Sequence, residues 1–271
     1  MAFSDGSGGS NAAAFGRLPP PLDDTVVLIP AYREAQGIAP VIEEVRRSLN
    51  PRIVVIHRPD GDATGVVARA TGAEVVEQAG KGKGDAVRLG LEYVRDHFER
   101  ARFIGMIDAD CTYPSYAMHP MRSILNHRPD VGMVIARREN IANNGATSHA
   151  FAWGNRVLAQ VHRAMNRIPL DDPLSGLRLF RADVVRDWNP RSRGFDIECE
   201  LNDYVHNVKG LEISEVAVPY RARVGTKKLR FRHGFLILAR MVGLRFRALG
   251  TVPSPLACPS DTHSSGTATQ Q

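Results

Sequence analysis

The apolar run Phe103-Ile104-Gly105-Met106-Ile107 ends in two carboxylates one residue apart, Asp108 and Asp110. In a strand, side chains at i and i+2 project to the same side. Two like charges held that close are unfavourable unless a cation joins them. Hard carboxylate oxygens suit Mg²⁺ or Mn²⁺ shared with a phosphate group. The following Cys111-Thr112-Tyr113-Pro114 reads as a turn that keeps both acids at the strand's C-terminal edge, where open α/β sheets bind ligands. An isolated Asp-x-Asp is more simply a strand-to-loop junction facing water; this context favours a metal–phosphate site.

The elements that would position the pair are legible on either side of it. Thr25 to Pro30 reads as a buried strand stopped by proline, and Ile38 to Leu49 as a helix with apolar residues at Ile38, Val41, Ile42, Val45 and Leu49. Strands at 52–56 and 73–77 flank a helix at 61–71, and Val87, Leu91, Val94 and Phe98 form one stripe of a helix over 85–98. Further strands are expected at 131–136, 177–180 and 211–218, with helices at 151–165 and 197–208. Strands alternating with helices imply right-handed crossovers and an α/β fold with a mostly parallel central sheet flanked by helices.

The 271 residues suffice for one large core. Residues 1–22 and 250–271 are Gly/Ser/Pro- or Ser/Thr-rich and read as disordered tails, leaving a single domain over 23–226. Residues 227–249 form a basic amphipathic segment in which Phe231, Phe235, Leu238, Val242 and Leu249 can share a face. Such a helix either lies in an anionic membrane interface or closes the core with its apolar side. Three cysteines without metal spacing, no secretory start and no membrane-spanning run point to the cytoplasm, with peripheral contact at the membrane face. The net charge of +6 suits an anionic partner. Nucleic acid is disfavoured because the basic residues do not accompany aromatic stacking platforms.

Taken in order, several motifs resemble family-2 glycosyltransferases with a GT-A fold. Val27-Leu28-Ile29-Pro30-Ala31-Tyr32-Arg33-Glu34-Ala35 is similar to the family's opening motif, and Gly80-Lys81-Gly82-Lys83-Gly84-Asp85 to its Gly-Lys-Gly loop. That loop lacks the spacing of an ATPase P-loop. Asp108-Ala109-Asp110 matches the metal-binding Asp-x-Asp. Asp172-Pro173-Leu174-Ser175-Gly176-Leu177-Arg178, Gly194-Phe195-Asp196-Ile197-Glu198 and Val218-Pro219-Tyr220-Arg221-Ala222-Arg223 resemble the dolichol-phosphate mannose/glucose synthase branch.

The resemblance implies a nucleotide-diphosphate sugar donor, with Pro30, Ala31, Tyr32, Glu34, Asp62 and Ala109 lining its pocket and Mg²⁺ or Mn²⁺ on Asp108 and Asp110. Lys83 and Arg137 are candidates for phosphate. Arg138 and Arg156 are candidates for the diphosphate or the acceptor phosphate, because guanidinium forks match that geometry. Arg178, Arg223 and Lys228 favour an anionic acceptor, foremost a polyprenyl phosphate, which needs no base because it is already ionised. The runner-up is a soluble enzyme acting on a hydroxyl of a small metabolite, with Asp172 as base. A nucleotide-sugar-binding module without catalysis is the reading from another class. Glu198 and Glu200, i and i+2 on a helix, cannot share a face, so at most one reaches the site. His149, His162 and His233 read as surface or core. One departure stands out. His57-Arg58 replaces the two acids the family carries after the second strand, which leaves the donor base open.

Overall fold

The computed structural model describes residues 18–139, 149–226, 234 and 237–244, with side chains in the second stretch described from residue 154 onward. Its strands are β1 (Leu22–Ala31), β2 (Pro51–His57), β3 (Glu74–Glu77), β4 (Phe103–Met106), β5 (Val131–Glu139), β6 (Arg178–Arg181) and β7 (Glu212–Pro219). They form one sheet in the order β3-β2-β1-β4-β6-β5-β7. Every pairing is parallel except those of β6, which runs antiparallel to both β4 and β5. The helices are α1 (Ile38–Ser48), α2 (Thr64–Ala70), α3 (Lys83–His97), α4 (Met118–His127), α5 (His149–Asn166) and α6 (Ile197–Asp203), the last running into a π-helical turn at Tyr204–Val208.

Side-chain alternation in β1 explains why helices cover both faces. Val27, Ile29 and Ala31 join Ile38, Val41 and Ile42 of α1 and Met118 and Met121 of α4 in one apolar layer. Val26 and Leu28 point the other way, to Val87, Leu91 and Val94 of α3 and Ile197 and Leu201 of α6.

Three expectations are corrected. β4 ends at Met106, and Ile107 continues the ladder only through its N–H to Leu28 O (3.2 Å). Asp108 and Asp110 therefore lie in the turn beyond the strand, and Cys111 turns the chain with φ +64°. Order begins before residue 23: Leu22 N donates to Asn50 O (2.9 Å), and Asn50 Nδ2 donates to Pro19 O (2.8 Å). Residues 237–244 are helical but bury Ile237, Met241 and Leu244 against Cys199 and Phe195, whereas Leu238 is exposed. Spacings of four and three residues place that buried stripe on one helix face. Phe231, Phe235 and Leu249 of the expected face lie outside the described residues.

Arg178 opens β6 fully buried, donating to Ser175 O (2.8 Å), Pro173 O (2.7 Å) and Asn202 Oδ1 (2.6 Å). Expected at an acceptor phosphate, it is instead an internal brace. Asn202 also reaches His162, whose ring nitrogens are hydrogen-bonded to the carboxamides of Asn166 (2.9 Å) and Asn202 (3.1 Å). Burial, then the charge of Arg178, pushes His162 down to about 4. Its folded pKa is thus below the ordinary ~6.5, so between these values the unfolded chain binds more protons and stability rises with pH. Urea melts from pH 7 to pH 4 should lose about 3 kcal/mol more in the native protein than in His162→Gln. Parallel losses in the two proteins would place the acid sensitivity elsewhere.

Candidate active site

The C-terminal ends of β1 to β4 open into a cleft of about 670 Å³. Pro30 and Ala31 at the end of β1 line it with Tyr32 and Glu34 just beyond, Arg58 beyond β2, and Gln78 beyond β3. Gly82 and Lys83 enter at the head of α3, Asp108, Ala109 and Asp110 after β4, and Arg223 and Thr226 after β7. Phe195 closes it from the approach to α6.

Lys83 is the centre of the charged corner. Its Nζ lies 2.7 Å from Asp108 Oδ1 and 2.7 Å from Glu198 Oε1. The loop geometry that brings it there requires glycine at 82, where φ is +94° and a methyl group would overlap Arg193 O. The first amides of α3 are already used, Gly84 N donating to the carbonyls of Arg193 and Gly194 (both 3.1 Å). The 191–194 segment is in turn held by Glu200, which accepts from Arg191 N (2.8 Å) and Ser192 N (2.7 Å). The two acids of α6 thus divide as helix phase requires. Glu198 meets Lys83, and Glu200 fastens the backbone behind it.

Asp110 is held differently. Its Oδ1 accepts from Thr112 N (3.1 Å) and Thr112 Oγ1 (2.5 Å), while Oδ2 meets Arg223 at 2.5 Å. Burial raises the Asp108 carboxyl, but Lys83, followed by Arg223 and Arg138, brings it below the usual range on balance. Asp110 stays above that range because of burial and then the neighbouring Asp108, in spite of Arg223. Three carboxylates therefore share two cations, Lys83 and Arg223. That excess of negative charge and the hard oxygen donors fit a divalent cation on Asp110 and Asp108. Among the described residues no group of three His, Cys, Asp or Glu is assembled for a metal, so phosphate oxygens of a ligand would complete the shell.

Of the residues expected at the site, Pro30, Ala31, Tyr32, Glu34, Lys83, Asp108, Ala109, Asp110 and Arg223 meet in the cleft. Others do not. Asp62 accepts from Thr64 N (3.1 Å) and Thr64 Oγ1 (2.7 Å) at the head of α2, and Thr64 Oγ1 accepts from Glu34 N (2.8 Å), so Asp62 acts behind the pocket wall. Asp172 and Arg138 bind each other through two 2.6 Å contacts, with Arg138 N donating as well (3.1 Å). A carboxylate committed in this way is a poor base, and its arginine a poor phosphate ligand. Arg137 faces Glu139 (3.5 Å), and Arg156 is exposed on α5, away from the residues lining the cleft. Lys228 lies outside the described residues. Gln78 and Thr226 carry no signal in the sequence reading; Glu198 is one of two helix acids of which at most one reaches the site, Phe195 stands only within a family motif, and Arg58 only as a departure from the expected acids.

Residues 26–188 match the model of the family described as Glycosyl transferase family 2. The chain is 35% identical over 184 residues to Glycosyltransferase AglJ of Haloferax volcanii, covering 68% of this chain and 58% of AglJ, so it spans less than three fifths of that relative. It is 27% identical over 212 residues to the Dolichyl-phosphate hexose transferase of the same organism, covering 76% of this chain and 87% of that protein. The fold is shared with glucosyl-3-phosphoglycerate synthase from Mycobacterium tuberculosis, crystallised with Mn²⁺, uridine-diphosphate-glucose and phosphoglyceric acid. The TM-score is 0.66 at 18% identity, covering 82% of this chain and 79% of that one.

Replacing Lys83 by Met leaves Asp108 and Glu198 facing each other without a cation. Stability should fall by about 3 kcal/mol in urea melts, and adding Glu198→Gln should recover at least about 1 kcal/mol of it. An unchanged midpoint for Lys83→Met would show that the three charges are not coupled.

Proposed function

Because the chain belongs to glycosyl transferase family 2, we propose that it is a metal-dependent hexosyltransferase using a nucleotide-diphosphate sugar and a phosphate-bearing acceptor, foremost a polyprenyl phosphate of the dolichyl type. The observation that carries this reading is the Lys83–Asp108–Glu198 and Arg223–Asp110 corner at the rim of the cleft. In the reaction an acceptor oxygen bonds to the anomeric carbon, the bond from that carbon to the diphosphate breaks, and the nucleoside diphosphate leaves with the electron pair. A divalent ion held by Asp110 and Asp108 would neutralise the leaving diphosphate as a Lewis acid.

The chain's own residues supply the rest. The backbone around Pro30, Ala31 and Tyr32 forms the wall against which the nucleoside lies. Lys83 and Arg223, both turned into the corner, offer hydrogens to diphosphate oxygens as charge develops. Asp172 is withdrawn onto Arg138, which favours a nucleophile that arrives ionised over an alcohol needing a base. The dolichyl-phosphate hexose transferase of Haloferax volcanii is in keeping with a lipid phosphate acceptor, as is the phosphoglyceric acid of the Mycobacterium tuberculosis enzyme with an anionic one. A lipid acceptor would bring the protein to the cytoplasmic face of a membrane; among the described residues no helix is long and apolar enough to cross one.

Transfer of radiolabelled hexose to dolichyl phosphate in detergent, with Mn²⁺, tests the reading. Asp110→Asn should reduce turnover at least about 100-fold, with the thermal melt of the variant unchanged or raised. Full activity in Asp110→Asn would remove the carboxylate corner from the mechanism.

A further inference from the structure

The sheet rim acts as a ruler. β3, β2, β1 and β4 lie side by side, and with strands about 4.8 Å apart the ends of β2 and β3 sit roughly 10 to 14 Å from the Asp108–Asp110 corner. A nucleoside diphosphate whose phosphates lie at that corner reaches the far end with the edge of its base.

Arg58 and Gln78 line that far end. Arg33 beside them is neutralised by Asp60. Arg58 enters no ion pair among the described residues, and its guanidinium lies 5.9 Å from the centre of the Tyr32 ring. Gln78 is 5% exposed, and its Nε2 donates to Gly82 O (3.0 Å) and Asp85 Oδ2 (2.9 Å). Both amide hydrogens are therefore engaged, and the carbonyl Oε1 remains as an acceptor. The carboxylates lining the cleft, Glu34, Asp108 and Asp110, come from beyond β1 and β4. Beyond β2 and β3 the lining side chains are a guanidinium, Arg58, and a carboxamide, Gln78.

Resting on the nucleotide-sugar reading above, we propose that Arg58 and Gln78 select a donor base with the uracil-type edge, uracil or thymine, over guanine and cytosine. Gln78 Oε1 accepts from the ring N–H, and Arg58 donates to a flanking carbonyl. Uracil carries a single N–H between two carbonyl acceptors, an edge that it shares with thymine. Guanine brings adjacent N–H donors on its ring and its amino group to a single acceptor, leaving one without a partner. Cytosine has no ring N–H at that position. Arg58, where the family resemblance leads one to expect an acid, is then a different means of reading a base.

Isothermal titration of the full chain with UDP, GDP, CDP and inorganic pyrophosphate, each with Mn²⁺, tests the assignment. UDP should bind at least about tenfold more tightly than GDP or CDP. Arg58→Gln should weaken UDP about tenfold while leaving pyrophosphate within about twofold, the loss expected for one charge-assisted hydrogen bond. GDP or CDP equal to UDP, or UDP and pyrophosphate weakened alike in Arg58→Gln, overturns the base assignment and leaves the diphosphate site standing. Binding of none of the four overturns both the assignment and the glycosyltransfer reading.

Discussion

A lysine between a buried and a half-buried acid is the constraint on which the site depends. Taking an ammonium or a carboxylate out of water costs several kcal/mol, and only close, well-directed partners offset it. Lys83 meets that condition because four separately folded pieces converge on it. The left-handed turn at Gly82 aims it, the turn after β4 supplies Asp108, α6 supplies Glu198, and the 191–194 segment closes over the head of α3. A displacement of any one leaves a charge uncompensated, so the corner is either assembled as a whole or badly destabilised.

The chain beyond β7 completes the same corner from the opposite side. Arg221 N donates to Thr112 O (3.0 Å) and Val224 N to Asp110 O (2.9 Å), which pins the loop that presents Arg223. Beneath it, Glu215 accepts from the amides of Asp171 (3.0 Å) and Asp172 (2.9 Å), Asp172 holds Arg138, and the Arg138 guanidinium lies 5.4 Å from the centre of the Tyr220 ring. The acid that sequence reading places as a base is the bolt joining β5 and β7. This arrangement gives the Asp172–Arg138 pair a mechanical role and leaves Arg223 as the guanidinium that faces the acids.

Periodicity made most of the architecture readable. The β1, α1 and α3 patterns each declare which side faces the core, and the alternation of strand and helix is enough to imply a parallel sheet. The antiparallel sense of β6 was not legible, because Arg178 to Arg181 is four residues long and its direction is set by partners 70 residues or more away in β4. The acids at 108 and 110 were found by residue type, yet their orientation follows turn geometry and tertiary cations that no strand period encodes. Arg178 was misplaced for a related reason. A buried guanidinium differs from a solvated one only in what surrounds it, and those carbonyls belong to residues whose backbone path the sequence does not state. Asp172 and Arg138, 34 residues apart, found each other through the sheet.

The order of strands along the rim separates two tasks that share one ligand. On the reading proposed above, recognition falls to the margins of β2 and β3, while the bond-breaking chemistry belongs to β4 and the head of α3. Substitutions at the first location can retune which donor is admitted without disturbing the second. Such modularity offers a physical route by which a single scaffold diversifies its choice of nucleotide while its reactive machinery stays still.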